Sequence, residues 1–228
     1  MNKKVLIIGG NSGIGRGLKY YFDKNNYKVF ATARNKKNLI KYDLNNVTKK
    51  KFLNKNFFGN LKFDYVLFVA AITTNDKEVK NKFCTFGNLD YLSYIKLLSI
   101  NCFSQIKTFE NLKKNNNLKK KSKIIFFSSL AGSIANRGEL PHNKPYGNMF
   151  YRISKAALNC AVKNLSYDFK KNYIIVSMHP GYVKTKSGGK KADLSVDYAS
   201  RKIFKTIIDL KKKDNGKFLD LKGKKILW

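Results

Sequence analysis

Acidic residues are scarce in this chain: 14 Asp and Glu stand against 47 Lys and Arg, a formal net charge of +33 over 228 residues. A surplus of this size ordinarily points to nucleic acid or an anionic membrane as partner. Here the lysines mix with asparagines in separate polar stretches, at 35–38, 49–56 and 113–123, and favour no single periodic face. Biased coding composition produces the same spread, so a nucleic-acid partner is not expected. Histidine is nearly absent. His142 and His179 lie far apart without companion cysteines or carboxylates, which speaks against a catalytic metal and leaves both for surface or loop roles. Three cysteines, Cys84, Cys102 and Cys160, form no CxxC pair and suit a reducing compartment, so the expected location is cytoplasmic. No apolar run nears the roughly 20 residues of a membrane span. The run Val5 to Ile8 follows basic residues but ends at Gly9-Gly10, too soon for a signal segment, and reads as a first strand.

What is present is a regular alternation. Short, continuously apolar runs at Val5 to Ile8, Val29 to Ala33, Tyr65 to Ala70, Ile124 to Phe127 and Ile174 to Met178 are separated by longer stretches with helical period. Continuous hydrophobicity is expected of parallel strands covered on both faces, and the alternation predicts βαβ units in a doubly wound α/β sheet. Helices are predicted at Ile14 to Asn25, Leu89 to Asn115, Met149 to Lys171 and Val196 to Leu210, with a last strand at Lys217 to Asp220. Length favours one domain. The polar segment Ser133 to Asn148, with Pro141 and Pro145, reads as a loop near the site.

Gly9-Gly10-Asn11-Ser12-Gly13-Ile14-Gly15 follows the first strand and opens the first helix, the context a dinucleotide-binding turn requires. Glycines let a pyrophosphate approach the backbone, and the helix N-terminus stabilises its charge. A tight turn that binds nothing is the plain alternative. At the end of the second strand, Thr32-Ala33-Arg34-Asn35 offers a guanidinium but no carboxylate. Arg34 is suited to a 2′-phosphate, which favours NADP(H), with NAD(H) possible; a solvated turn arginine is the other reading.

Tyr151 and Lys155 stand four residues apart at the start of a helical stretch, so both can project from one face. A nearby cation favours the phenolate and would bring the tyrosine pKa toward neutrality for acid/base work. Taken alone, this spacing arises by chance among 13 tyrosines and many lysines. Tyr146 is a competitor without a lysine four residues on.

The glycine turn, Ser128-Ser129-Leu130-Ala131-Gly132 after a strand, and Tyr151-x-x-x-Lys155 together resemble the short-chain dehydrogenase/reductase family in order and context. Asp43, Asp64 to Ile72, Asn101, and Pro180-Gly181-Tyr182-Val183-Lys184-Thr185 add to the match, and Tyr151-Arg152-x-Ser154-Lys155-Ala156-Ala157-Leu158-Asn159, His179-Pro180-Gly181-x-Val183-x-Thr185 and the ending Gly216-Lys217-Phe218 to Leu227-Trp228 resemble its sniffer-like carbonyl reductase and C-factor branch. The resemblance implies a Rossmann-type sheet of about seven strands. It also implies reduction of a small carbonyl compound, or oxidation of an alcohol, with a nicotinamide cofactor. By it, Ser129 would bond the substrate carbonyl, Tyr151 would donate the proton, Lys155 would bind the nicotinamide ribose and lower the tyrosine pKa, and Asn101 would support a proton relay. Gly10, Asn11, Ser12, Gly13, Ile14, Gly15, Arg34, Asp43, Leu44, Ala70, Ala71, Tyr151, Lys155, Pro180, Gly181, Val183 and Thr185 would bind the cofactor, Asp43 at the adenine edge and Thr185 at the carboxamide. Plain readings stand beside these: Ser129 as a turn cap, Asn101 as a partner for backbone groups at a helix irregularity, Lys155 as a solvated residue. A homodimer through Leu89 to Asn115 and Met149 to Lys171 is implied as well. A nucleotide-binding regulatory protein on the same fold is the second functional reading. One departure is visible: Val69-Ala70-Ala71 stands where the family usually has Asn-Ala-Gly, which predicts a weaker cofactor site or central sheet.

Overall fold

The computed structural model describes residues 2–35, 39–49, 52, 55–76, 79, 84–138 and 148–228. Its centre is a seven-stranded sheet of β1 (Lys4–Ile8), β2 (Lys28–Ala33), β3 (Ile40–Lys41), β4 (Phe63–Phe68), β7 (Leu118–Phe127), β8 (Ile174–His179) and β9 (Phe218–Asp220). The spatial order is β3-β2-β1-β4-β7-β8-β9, and every pair is parallel. A separate antiparallel ribbon joins β5 (Cys84–Thr85) to β6 (Asn88–Leu89). The winding reverses between β1 and β4, so a crevice opens beyond their carboxyl ends, where doubly wound sheets bind ligands.

The central strands are apolar because both faces are covered. Leu6, Ile8, Val66, Phe68, Ile124 and Phe126 pack under α2 (Tyr91–Leu98), α3 (Ser104–Lys114) and α4 (Met149–Asp168). Val5, Ile7, Leu67 and Ile125 face α1 (Gly13–Lys24) and α5 (Val196–Asp209), whose Leu18, Phe22, Ile203 and Phe204 close the second core. Burying each such side chain contributes about 1.5–3 kcal/mol.

The predicted helix from Leu89 to Asn115 divides. Leu89 belongs to the ribbon, Asp90 caps α2 by accepting from Ser93 N at 2.8 Å, and a π-turn at Ser99–Phe103 separates α2 from α3. The seventh strand, β3, had no sequence signal: two residues suffice for an edge strand whose partner supplies the hydrogen bonds. The predicted helix to Lys171 ends at Asp168, and the strand expected from Ile124 begins at Leu118, with a register shift and a positive φ at Lys121. Among the described residues no helix is long and apolar enough to cross a membrane.

Candidate active site

The glycine turn is stitched to β2: Gly9 N donates to Thr32 Oγ1 at 3.1 Å and Gly10 N to the Thr32 carbonyl at 2.9 Å. Close approach, more than conformational freedom, demands glycine at 15, because a Cβ there would lie 2.1 Å from the Gly9 carbonyl oxygen. Ser12 caps α1 in an extended conformation, but its hydroxyl makes no cap hydrogen bond and the first turn holds no acid. The helix therefore presents unclaimed first-turn N–H groups and the positive end of its dipole.

A cleft of about 340 Å³ runs over this turn. Thr32, Arg34, Asp43 and Leu44 line one end, Asn11 to Ile14 with Ala70 and Ala71 the middle, and Tyr151, Lys155, Pro180 and Thr185 the other. Gly10 and Gly15 lie buried beneath the turn, while Gly181 and Val183 line a second cleft of about 300 Å³ beside Ser129, Asn148, His179 and Tyr182. Tyr151 borders both clefts.

The sequence brings the tyrosine, lysine and serine together through α4 and the turn after β7. Gly132 lets that turn pack on α4, since a Cβ there would stand 2.7 Å from the Lys155 backbone. Ser129 caps the short turn 130–132, accepting from Ala131 N at 3.1 Å, and its hydroxyl stands beside Tyr151, where it favours the phenolate. Lys155 is 1% exposed, and its Nζ donates to the Phe127 carbonyl at 2.8 Å. It lies 5.9 Å from the Tyr151 ring centroid.

The electrostatics differ from the sequence expectation. Burial raises the Tyr151 phenol above its ordinary value, opposed only by the neighbouring Ser129 hydroxyl, while burial lowers Lys155 to about 8. Desolvation thus acts on both partners, and the lysine does not bring the phenol toward neutrality.

Asn101 is not in either cleft wall. It is fully buried in the π-turn, where Oδ1 accepts from Ile72 N and Nδ2 donates to Ile72 O, both at 2.9 Å, and Nδ2 also meets Ser154 Oγ at 3.1 Å. It thereby fastens the loop after β4 to the helix carrying Tyr151. Asp43 caps the turn 44–46 by accepting from Asn45 N at 3.0 Å.

The departure at Val69-Ala70-Ala71 is accommodated. Val69 packs into the second core, Ala71 has no positive φ that would favour glycine, and Ala70 accepts from Gln105 Nε2 at 3.1 Å. Sequence reading missed Thr32 as the anchor of the glycine turn and Ser128, a buried hydroxyl in the wall of both clefts that has no partner among the described residues. It also misjudged His179, which ends β8 in the wall of the second cleft and occupies no surface loop. His142 and Tyr146 lie outside the described residues.

The short chain dehydrogenase family model matches residues 3–194. The C-signal of Myxococcus xanthus is 28% identical over 158 residues, covering 69% of this chain and 92% of that protein. An uncharacterized oxidoreductase of Schizosaccharomyces pombe is 27% identical, covering 97% of this chain and 96% of its own length. Among solved structures, the carbonyl reductase Sniffer of D. melanogaster superposes with a TM-score of 0.81 at 26% identity over 100% of both chains. An NADPH-bound carbonyl reductase from chicken fatty liver gives 0.81 at 24% identity, covering 100% of this chain and 99% of that one, a likeness of fold.

Proposed function

The chain belongs to the short-chain dehydrogenase family of oxidoreductases, which use NAD(P), and on that footing we propose that it is a single-domain, cytosolic, NADP(H)-dependent reductase of a small carbonyl compound. The observation that carries this reading is the convergence of Ser129, Tyr151 and Lys155 where the glycine-turn cleft meets the second cleft.

The residues present fit the cofactor. The glycine cradle has no room for a Cβ, unclaimed helix N–H groups suit a pyrophosphate, and Arg34 at the far end suits a 2′-phosphate through charge-assisted bonds. Lys155 has one hydrogen-bond acceptor among the described residues, leaving ammonium protons for ribose hydroxyls. Asp43 and Leu44 would flank the adenine, with Thr185 and Val183 at the nicotinamide end. When bound, NADPH supplies a hydride to the carbonyl carbon.

This chain's own groups manage the proton and the orientation. Ser129 holds the carbonyl oxygen against Tyr151, and Tyr151 Oη passes its proton to that oxygen as the carbon–oxygen double bond becomes an alcohol. A phenol raised by burial keeps its proton at neutral pH, which suits reduction more than oxidation. Asn101 acts as a positioning residue through Ile72 and Ser154.

A homodimer through the outer faces of α2, α3 and α4 is the expected assembly, supported by the exposed Tyr91, Leu92, Phe103 and Tyr167; sedimentation as a monomer would refute it. The regulatory reading draws support from the C-signal similarity alone. Tyr151→Phe separates the two: an enzyme loses at least about a hundredfold in turnover, within the usual range for removing a general acid, and keeps its NADPH affinity. Unchanged turnover would refute the role of Tyr151.

A further inference from the structure

The second cleft contains a histidine for which the reduction just described has no use. His179 closes β8, and its Nδ1 accepts from Leu130 N at 3.3 Å, the N–H immediately after Ser129. An imidazole nitrogen that accepts a backbone N–H carries no proton, so the ring's proton sits on Nε2. Among the described residues Nε2 has no partner, and the residue lines the 300 Å³ cleft. Burial lowers the imidazole to about 4 against the opposing pull of Asp220, so near neutral pH the ring stays uncharged and the tautomer is held. Two nearby wall groups are already engaged: the Thr74 hydroxyl donates to Asn148 Oδ1 at 2.7 Å, and the Thr73 backbone N–H donates to Asp76 Oδ2 at 2.7 Å; the Ser128 hydroxyl, beside the reacting carbonyl's serine, is another wall side chain without a partner among the described residues.

We propose that His179 is a specificity-determining residue whose Nε2–H donates to a second oxygen on the substrate, next to the carbonyl that is reduced, so that the preferred substrates are ketones or aldehydes bearing an adjacent hydroxyl or alkoxy oxygen. The inference rests on the carbonyl-reductase reading. The same ring holds the turn that presents Ser129, so recognition of the second oxygen and placement of the serine share one side chain. A neutral donor suits a neutral oxygen: it binds the acceptor without attracting a carboxylate as a cation would.

The test compares α-hydroxyacetophenone with propiophenone, which differ by a hydroxyl in place of a methyl, in the parent protein and in His179→Asn. Asparagine offers Oδ1 where Nδ1 stood, keeping an acceptor for Leu130 N, but nothing at the ε position. The parent is expected to favour the hydroxyketone in kcat/KM. His179→Asn is expected to lose about tenfold in that ratio, the effect of one hydrogen bond of about 1.4 kcal/mol, with NADPH affinity that of the parent. A ratio unchanged in His179→Asn overturns the inference and leaves the reductase reading standing. Reduction of no carbonyl compound by the NADPH-bound parent overturns both. Nitrogen-15 imidazole spectra of the parent need no variant: with two histidines in the chain, the His179 signals are expected to report protonation at Nε2 and to move when α-hydroxyacetophenone is added to the NADP-bound protein. Protonation at Nδ1, or no movement, overturns the inference.

Discussion

Replacing Lys155 with methionine removes an ammonium that the fold keeps 1% exposed, and the cofactor-free protein is expected to become more stable as it loses function. Burial takes the lysine from its ordinary 10.5 to about 8. At 1.36 kcal/mol per unit this disfavours the charged folded state by about 3 kcal/mol at neutral pH. Methionine matches the side chain's length but leaves the Phe127 carbonyl without its 2.8 Å donor. That loss takes back about 1 kcal/mol. The net gain is then about 2 kcal/mol, or roughly 6 °C in Tm for a chain of this size. Because the folded pKa lies below the unfolded one, the unfolded chain holds the extra proton between pH 8 and 10.5, and the parent gains stability as pH rises through that window. The methionine advantage should therefore be full below pH 8, fall through zero as pH rises, and give way near pH 10.5 to a small disadvantage set by the lost hydrogen bond. Urea denaturation of both proteins across this range measures it, with NADPH calorimetry recording the loss of cofactor affinity. A methionine variant less stable than the parent at pH 7, or a gap independent of pH, would refute the assignment of the cost to the buried charge.

Two further substitutions probe separate parts of the site. Arg34→Ala is expected to weaken NADPH about ten- to a hundredfold, the effect of losing a charge-assisted bond to the 2′-phosphate, while NADH affinity stays constant; calorimetry with both nucleotides decides, and equal losses would remove Arg34 from phosphate selection. Asn101→Leu leaves the Ile72 N–H and C=O unpaired in the interior and should cost about 3 kcal/mol in urea unfolding. A loss under about 1 kcal/mol would mean that Ile72 finds other partners.

The fold was legible because its strands are covered on both sides. Val5 to Ile8 and Ile124 to Phe127 read as continuous apolar runs, and such runs have few homes outside a parallel sheet. Ile40–Lys41 was not legible, since a two-residue edge strand is specified by its neighbour β2. The break in the helix after Leu98 was legible only through the plain reading of Asn101 as a partner for backbone groups at a helix irregularity; that the partner is Ile72, 29 residues away, with both its backbone groups paired, was not. Local spacing brought Tyr151 and Lys155 to one helix, and the strand-to-turn pattern brought Ser129 near them. The direction of their pKa shifts was not legible. Proximity of opposite tendencies suggested a lowered phenol, whereas desolvation, a property of the packed structure, dominates for both groups. His179 was undervalued because a single histidine before Pro-Gly has no sequence partner. Its tautomer depends on the Leu130 amide, reached only when β8 lies beside β7.

The most direct measurement of the central claim is isotopic: NADPH carrying deuterium at its transferable position, incubated with the protein and α-hydroxyacetophenone, followed by mass spectrometry of the alcohol. The account predicts one deuterium on the carbinol carbon for each NADPH oxidised, and loss of that product in Tyr151→Phe. NADPH bound tightly but with no deuterium transferred to this or any other carbonyl compound would contradict it and leave a nucleotide-binding protein on the same fold.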